Sequence, residues 1–430
     1  MIAFNRNILT ILLMLFAMFT KGQENPHLLP YHDFVVYDSN YVHFYNDSPN
    51  FNTFFSKLDT LIFEGKGKIN VMQIGGSHVQ ADIWSDQMRT NFQKFSPNLN
   101  GGRGFLFPYN LAQTNNPYYY HISYTGIWEG YRNSVANHHS KWGVSGITAT
   151  TKDSVATFKL VFRGDNTPYY DFNSVKIFHD IDSTSYCITL LSDTCTLIRI
   201  NREIGYTEFL FDTYQDSIEF LIYKEDTISS SFNLYGISLD NDDPGIVYTS
   251  IGVNGARTKS YLKCEQFTQH LKAINPDLVI FCIGINDAYE PDFCENCFEN
   301  NYDTLVAWTR KVNPAAEFLF VTNSDSYYNK RHPNQRALLA REVMIKLSKK
   351  YNGGMWDMFN VMGGLGSIKT WQNNNFAKRD KIHLTKEGYI LIGDLMFSAI
   401  IKEYDKHLKM WKGEWDKGQG KVNIEVKGKL

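Results

Sequence analysis

Residues 69–82, INVMQIGGSHVQAD, contain the feature on which the interpretation of the whole chain depends. The apolar run INVMQI is typical of a buried strand, and the residues after Ser77 suit a helix. Two glycines and Ser77 stand between these two segments. Glycine and serine are common in tight turns, so an ordinary turn explains the junction. The alternative is a serine nucleophile that is held at the end of a strand.

Strands alternate with helices near this stretch and again after residue 244. The strand at 69–74 precedes a helix in which Trp84, Met88 and Phe92 recur every four residues. Further strands are predicted at 245–252, 277–284, 317–323 and, more weakly, 355–362, and helices at 257–272, 300–312, 334–350 and 385–403. Strands separated by helices predict βαβ units and a parallel sheet.

The segment from 151 to 243 has a different pattern. Short alternating runs such as ATFKLVFRG, SVKIFHD and SIEFLIYK are separated by turns rich in aspartate, asparagine and serine. A spacing of roughly 8–12 residues between such runs is typical of a β-sandwich. The predicted organisation is therefore an α/β domain at 23–150 and 244–408, interrupted by a sandwich at 151–243. A loosely ordered tail is expected at 409–430.

Five aromatic residues of this sandwich are candidates for contact with sugar rings: Tyr169, Tyr170, Phe172, Phe209 and Tyr214. Aromatic faces bind the CH-rich faces of sugars, but the same residues also fill sandwich cores. Alternation along the strands favours the core for most of them.

Residues 1–22 match the pattern of a signal peptide, with Arg6 before an apolar run at 8–19 and the small Gly22 at the cleavage position. A membrane anchor is the alternative, but about a dozen apolar residues are short for a span. No other run is long enough to cross a bilayer. The formal net charge is −2 and no long basic run occurs before the C-terminus, so nucleic-acid binding has no electrostatic support. We expect a secreted, periplasmic or cell-surface protein.

Six cysteines in an exported chain allow disulfides. Cys187 and Cys195 could bridge a hairpin of the sandwich, and Cys282 lies in an apolar run that favours a buried thiol. Cys294 and Cys297 have the spacing of a metal or redox pair. Because there is no second such pair and no histidine pair to complete a tetrahedral site, the sequence does not favour zinc, and no metal site is predicted.

Polar residues follow the predicted strand ends: Ser77 after the first strand, Gly255 after 245–252, Asn286 after 277–284, and Asp380 and His383 just before the last helix. Ligands of open parallel sheets bind at the carboxyl ends of the strands. A serine, a histidine base and an orienting carboxylate are the parts of an acyl-transfer site, and backbone N–H groups and an asparagine amide can bind the oxyanion. Such a site requires no metal or organic cofactor.

Each of these residues also has a simpler explanation. Gly255 can end a strand, and Asn286 with its neighbour can cap the following helix. Asp380 and His383 can form a surface pair, with Thr385 as the N-cap of the last helix. Only their joint occurrence, in this order and at these positions, favours catalysis.

The ordered blocks GGSH, GVNGA, GIND and DKIH resemble the four blocks of the SGNH (GDSL-type) hydrolases, over residues 69–90, 246–290 and 375–400. The resemblance implies a flavodoxin-like three-layer α/β/α hydrolase domain, interrupted by a jelly-roll-like insertion. It further implies that Ser77 is the nucleophile, His383 the base and Asp380 its orienting partner. Gly255 and Asn286 would then be oxyanion donors.

One position departs from the family pattern, because Gly76 stands where the family usually has aspartate. That aspartate is outside the triad, so its loss affects the support of Ser77 rather than the chemistry itself. The inserted sandwich in an exported chain is similar to the peptidoglycan O-acetylesterases of Gram-negative envelopes. We therefore expect a serine esterase acting on an acylated carbohydrate. An acyltransferase with the same triad and a non-catalytic glycan-binding protein are the alternatives.

Overall fold

The structure is a computed structural model that describes residues 28–45, 51–163, 169–181, 185–191, 195–227 and 230–418, without the side chains of 411–418. The predicted signal peptide at 1–22 lies outside these residues. None of the helices in the described part of the chain is both long and apolar enough to cross a membrane.

The strands of the described residues are β1 (Val42–His43), β2 (Lys68–Gly75), β3 (Gly104–Leu106), β4 (Tyr120–Tyr124), β5 (Glu129–Arg132), β6 (Ile147–Thr151), β7 (Val155–Phe162), β8 (Phe172–His179), β9 (Tyr186–Leu190), β10 (Leu197–Asn201), β11 (Tyr206–Gln215), β12 (Ser217–Lys224), β13 (Phe232–Asp240), β14 (Gly245–Gly252), β15 (Leu278–Cys282), β16 (Glu317–Val321), β17 (Tyr327–Tyr328), β18 (His332–Pro333) and β19 (Gly354–Trp356). The α-helices are α1 (Asn52–Glu64), α2 (Ser77–Gln80), α3 (Ile83–Lys94), α4 (Thr258–Tyr261), α5 (Phe267–Ile274), α6 (Ile285–Tyr289), α7 (Glu295–Val312), α8 (Arg336–Tyr351), α9 (Met358–Val361), α10 (Ser367–Asn373) and α11 (Lys386–Gly418). Short 3-10 helices occur at Tyr37–Ser39 and Tyr109–Ala112.

A parallel sheet forms the centre of the fold. Its strands lie in the order β14-β2-β15-β16-β19, and the short β1 pairs antiparallel with β19 at the edge. Counted along the chain from β2, this order is 2-1-3-4-5, which is the flavodoxin-like order. The predicted parallel sheet and flavodoxin-like α/β architecture are confirmed.

The two faces of the parallel sheet pack against different helices. Ile69 and Val71 of β2 belong to a buried cluster that includes the apolar faces of α1, α3 and α11. Met72 and Ile74 of the same strand belong to a second cluster, which includes buried residues of α5, α7 and α8. Since side chains alternate along a strand, one strand contributes to both cores, and the domain has three layers.

The carboxyl ends of the three strands β2, β14 and β15 lie side by side. Gly75 at the end of β2 pairs in register with Gly252 of β14 and with Cys282 of β15. The winding of the chain reverses beside β2, which is where ligands bind in folds of this order. The segments that follow these three strands therefore share one edge of the sheet.

Two antiparallel sheets form the other part of the molecule. One has the order β10-β11-β8-β13-β6-β5, with β3 paired to β13, and the other has the order β4-β7-β12-β9. Aromatic residues of the two sheets pack together: the ring of Phe220 on β12 lies 5.9 Å from that of Phe209 on β11, and both belong to one buried cluster. The two sheets thus form a sandwich with a shared core.

The antiparallel sheets include strands that precede the predicted start of the insertion at residue 151. Strands β3, β4, β5 and β6 lie before or at that position and pair with strands of the sandwich. We therefore propose an inserted unit that begins near Gly104 and ends before β14. The other predicted domain boundaries stay proposals.

Of the five candidate aromatic residues, Tyr170, Phe172 and Phe209 are buried, whereas 57% of Tyr169 and 48% of Tyr214 are exposed. Three of the five residues are therefore part of the core, which is the role expected for most of them.

Several predicted boundaries differ from the observed ones. The helix predicted at 257–272 is divided into α4 and α5, and the strand expected at 355–362 is the short β19 followed by α9. The last helix, α11, continues to Gly418 instead of ending near 403. The predicted tail is helical as far as it is described. Its sequence includes several good helix formers, namely Lys409, Met410, Lys412 and Glu414.

The cysteine expectations are partly corrected. Cys187 and Cys195 are free, so the suggested hairpin bridge is absent, and Cys282 is also a free thiol. Cys294 and Cys297 form a disulfide at the beginning of α7. Among the described residues, no group of three potential ligands could hold a metal ion.

Candidate active site

The junction between β2 and α2 depends on a very close approach at Gly75. A Cβ atom at this position would lie 2.5 Å from Val79 Cγ2 and 2.7 Å from Cys282 O, so no larger residue fits without rearrangement. The Tyr261 hydroxyl also donates to Gly75 O at 2.8 Å. These contacts let the chain turn directly from β2 into a short helix that starts at Ser77.

Ser77, His383 and Asp380 form a continuous chain of hydrogen bonds. Ser77 Oγ lies 2.8 Å from His383 Nε2, and His383 Nδ1 lies 2.8 Å from Asp380 Oδ2. The serine begins α2, whereas the other two residues precede α11 on a loop more than 300 positions away in the sequence. The fold therefore brings together the three residues for which the sequence predicts a triad.

The loop that carries His383 and Asp380 is ordered by its own backbone. Asp380 Oδ1 accepts hydrogen bonds from Ile382 N and His383 N, each at 2.9 Å. Lys381, which directly follows Asp380, has φ of 56°, in the left-handed region. Partial burial alone would raise the pKa of Asp380, but the hydrogen bonds from the His383 side chain and from these backbone groups hold it well below its usual range. The carboxylate therefore stays charged beside the imidazole.

Asn286 lies next to the residue that precedes Ser77. Its Nδ2 donates to Ala256 O at 3.0 Å, and a Cβ atom at Gly76 would lie 3.3 Å from the same Nδ2. Gly255, with φ of 77°, precedes Ala256, and a Cβ atom there would lie 3.9 Å from Ser134. The segments of Gly255 and Asn286 thus contact each other and lie beside the β2–α2 junction.

The backbone at Gly76 does not require glycine. Its φ is −99°, outside the left-handed region that favours glycine. A side chain would instead meet Asn286 Nδ2 at 3.3 Å, which is a tight contact, and Ala256 O at 3.5 Å. Without the family aspartate, no side chain at this position packs against the Asn286 amide.

Asp287 has a supporting role that the sequence interpretation missed. Its two carboxylate oxygens accept from Thr258 N at 3.1 Å, and Oδ1 accepts from Thr258 Oγ1 at 2.7 Å. The carboxylate thus joins the segment after Gly255 to the segment of Asn286. The N-cap of α6 is Gly284, without a side-chain cap, so the helix-capping alternative for Asn286 and Asp287 is wrong. Burial raises the pKa of Asp287 to about 6, although the Thr258 hydrogen bonds oppose this.

His78 is a second residue to which sequence reasoning assigned no role. Its ring stacks on that of His383, with centroids 5.2 Å apart, and its Nδ1 lies 2.9 Å from the Tyr389 hydroxyl. Burial, assisted by the nearby His383, lowers the pKa of His78 to about 3, so the ring is neutral. The signal available in the sequence was a histidine directly after Ser77. The neutral ring packs against His383 without adding a second positive charge.

A buried ionic cluster anchors the segment after α2. Asp82 binds Arg89 through Oδ1 at 3.0 Å and Arg103 through Oδ2 at 2.9 Å. Ser250 of β14 also donates to Asp82 at 2.7 Å. Burial opposes the charge of Asp82, but the two guanidinium groups outweigh this effect and lower its pKa. The cluster ties the segment that carries Ser77 to β14 and to the beginning of the antiparallel sheets.

Sequence comparison identifies the type of domain. Residues 233–391 match the model of the GDSL-like Lipase/Acylhydrolase family. The match includes Gly255, Asn286, Asp380 and His383, and it begins after Ser77. The chain therefore contains a GDSL-like lipase/acylhydrolase domain. No curated protein matches the sequence.

A solved structure shares the fold over most of the chain. The structure "Peptidoglycan O-acetylesterase in action, 5 min" is 20% identical with a TM-score of 0.68, covering 85% of this chain and 99% of that chain. A coverage of this extent includes the antiparallel sheets as well as the parallel one. A lipase/acylhydrolase from Enterococcus faecalis is 19% identical, with 37% and 76% of the two chains covered and a TM-score of 0.29. An acetyl xylan esterase is 21% identical, with 37% and 82% covered and a TM-score of 0.29.

Proposed function

We propose that this protein is an exported serine esterase that removes acyl groups, with acetyl as the expected group, from a carbohydrate such as peptidoglycan or another polysaccharide. The observation that carries the proposal is the hydrogen-bonded chain from Ser77 Oγ through His383 to Asp380. Its presence in a GDSL-like lipase/acylhydrolase domain supports ester hydrolysis over other uses of the same residues.

In the first step Ser77 Oγ attacks the ester carbonyl carbon, and His383 Nε2 accepts the serine proton. Asp380 stabilises the imidazolium that forms and fixes the ring through Nδ1. The tetrahedral intermediate collapses, the C–O bond to the sugar breaks, and the sugar oxygen takes the proton from His383. Water then attacks the acyl-enzyme by the same route, releasing the carboxylic acid and free Ser77.

The oxyanion of the tetrahedral intermediate needs donors that are in place before it forms. We assign the N–H of Ser77, the N–H of Gly255 and the Asn286 amide to this role. One N–H of Asn286 Nδ2 is bonded to Ala256 O, and this bond fixes the amide so that its second N–H remains for the oxyanion.

The proposed substrate and location depend on two further observations. The structural neighbour that aligns with 85% of the chain, antiparallel sheets included, is a peptidoglycan O-acetylesterase, which supports an acylated glycan as substrate. The predicted signal peptide supports a periplasmic or cell-surface location, where such glycans occur.

The test is Ser77→Ala, with p-nitrophenyl acetate as a small substrate and a fluorophosphonate probe for the activated serine. We expect hydrolysis to fall at least about a thousandfold and labelling to disappear, since the nucleophile is absent. The matched control is Ser56→Ala, which changes an exposed serine on α1. This variant should keep both the hydrolysis of p-nitrophenyl acetate and the labelling by the fluorophosphonate. Turnover by Ser77→Ala at the wild-type rate would refute the triad. Labelling of the wild type without release of product would favour an acyltransferase.

A further inference from the structure

A loop of the inserted part lies along the edge of the proposed active site. Asn115 accepts from Gln80 Nε2 through its backbone oxygen at 3.1 Å and through Oδ1 at 3.3 Å. Its Oδ1 also accepts from Asn254 Nδ2 at 2.5 Å. Gln80 belongs to the helix that starts at Ser77, and Asn254 directly precedes Gly255. The loop is therefore fixed to both the serine segment and the Gly255 segment.

The same loop carries Tyr118, whose ring lies near two cationic side chains. Arg163 Cζ lies 4.4 Å from the centroid of the Tyr118 ring, and Lys386 Nζ lies 5.9 Å from it. Arg163 follows β7 of the sandwich, whereas Lys386 begins α11, three residues after His383. About half of Tyr118, 52%, is exposed. The ring thus lies near the segment that follows His383, where the two parts of the molecule meet.

Neither of these cations has an acidic partner in the part of the chain that the structure describes. The ion pairs among those residues include none with Arg163 or Lys386, although Glu387 is adjacent in sequence. Two positive charges near one ring repel each other unless an anion lies between them.

The surrounding surface is also positive, although the formal net charge of the chain is −2. Lys378 and Arg379 are exposed and Lys381 is half-buried in the loop that carries His383. Asp380, the one acidic residue of that loop, is hydrogen-bonded to His383. A positive rim around a cleft raises the local concentration of anionic substrates.

We propose that Tyr118, Arg163 and Lys386 form a subsite for an acidic unit of the glycan, next to the acylated sugar. The exposed part of the Tyr118 ring would stack on the sugar or its substituent, and the two cations would bind its carboxylate. This assignment rests on the proposed esterase function and defines its substrate class as an anionic O-acylated glycan. The carboxylate belongs to a uronic acid or to a peptide that is attached to the glycan, since both present the same chemistry.

The test compares kcat/KM for O-acetylated polygalacturonan, O-acetylated peptidoglycan and the neutral O-acetylated xylan, each relative to p-nitrophenyl acetate. For the double variant Arg163→Gln/Lys386→Gln we expect this ratio to fall about tenfold or more for at least one acidic glycan, because charge-assisted hydrogen bonds are lost. The ratio for xylan should change less than about twofold. The acidic glycan that is affected identifies the source of the carboxylate.

The matched control is Lys66→Gln, which removes an exposed lysine before β2, at the opposite end of the parallel sheet. It should leave all the ratios unchanged. Equal losses on xylan and on the acidic glycans, or no loss on either acidic glycan, would overturn the subsite.

A binding measurement keeps the two proposals separate. Calorimetry with trigalacturonate and with a muropeptide, neither of which carries an ester, tests the subsite in the wild type even if hydrolysis fails. We expect weak binding of one ligand that is lost in the double variant and diminishes with added salt. Absence of binding to both ligands would reject the subsite, whereas an inactive wild type that still binds would reject only the esterase.

Discussion

Two aspartates support opposite sides of the proposed cleft, and they differ in exposure and in the direction of the pKa shift. Asp380, on the histidine side (residues 380–383), is about one-third exposed, and its pKa is held well below its usual range. Asp287, on the amide side (residues 255–258 and 284–287), is 8% exposed, and burial raises its pKa to about 6.

The difference follows from what each carboxylate contacts. In the proposed mechanism, the His383 ring that Asp380 binds becomes positive, so the charge of Asp380 has to be kept. Asp287 bonds to the backbone N–H and hydroxyl of Thr258, which stay neutral. It needs only to accept hydrogen bonds, and desolvation of its charge is therefore tolerated. On the histidine side of the proposed cleft, Asp380 stabilises a positive charge on His383. On the amide side, Asp287 fixes the position of the proposed oxyanion donors.

Asp380→Asn tests the histidine side and should have the largest effect of the support residues. An amide cannot stabilise the imidazolium and favours the wrong tautomer, so kcat should fall by about 10³–10⁴-fold. Steady-state hydrolysis of p-nitrophenyl acetate measures this, with circular dichroism as the check of folding. Asp292→Asn, at an exposed aspartate after α6, is the matched control. A loss of less than about tenfold would contradict the assignment of Asp380.

Asn286→Ala tests the amide side directly. Removal of one preorganised oxyanion donor should lower kcat by about 10²–10³-fold with little change in KM, because the donor acts on the transition state. The control is Asn300→Ala, at an exposed asparagine of α7. An increase in KM at constant kcat would instead show that Asn286 binds the substrate in its ground state. The oxyanion would then be stabilised by other donors.

The parallel sheet and the triad could be predicted because their signals are local. Strands such as β15 are buried on both faces and occur as continuous apolar runs. Ser77, Gly255 and Asn286 follow the ends of three such strands, whereas Asp380 and His383 precede the last helix. The Asp287–Thr258 link joins residues 29 positions apart, so it depends on how two loops approach each other and has no local signal. The early start of the antiparallel sheets was missed because β3 is only three residues long and β4 to β6 are separated by irregular loops.

Asp287→Asn tests whether the amide side depends on geometry alone. The amide oxygen can still accept from Thr258, but more weakly than a carboxylate, so we expect kcat to fall about tenfold and KM to change little. Asn301→Ala, which removes the 2.9 Å hydrogen bond to Thr258 Oγ1, should act in the same direction and less strongly. Equal kcat in the wild type and in Asp287→Asn would show that the link is not needed for catalysis.

The same variant gives a pH test. The pKa of Asp287 is higher in the folded protein, about 6, than its ordinary value of 3.8. Its contribution to stability is therefore full below pH 4 and is lost as the pH rises through 6, a loss of about 3 kcal/mol. Asp287→Asn removes this loss, so its melting temperature relative to that of the wild type should increase between pH 4 and pH 7. A constant difference would mean that Asp287 does not titrate in this range.

Gly76→Ala should have the smallest effect, and Gly75→Ala provides the comparison. At Gly75 a Cβ atom would lie 2.5 Å from Val79 Cγ2, so this substitution should disrupt the turn and lower activity at least tenfold. At Gly76 φ is negative, and a Cβ atom would lie 3.3 Å from Asn286 Nδ2, so a shift of a few tenths of an ångström accommodates it and kcat should change less than about threefold. Gly76→Asp, the family residue, adds a carboxylate that can accept from that amide. Gly76→Asp could lower kcat as far as Asn286→Ala does. That result would mean that catalysis in this protein requires the absence of a side chain beside the Asn286 amide, and that this part of the site differs from that of the family.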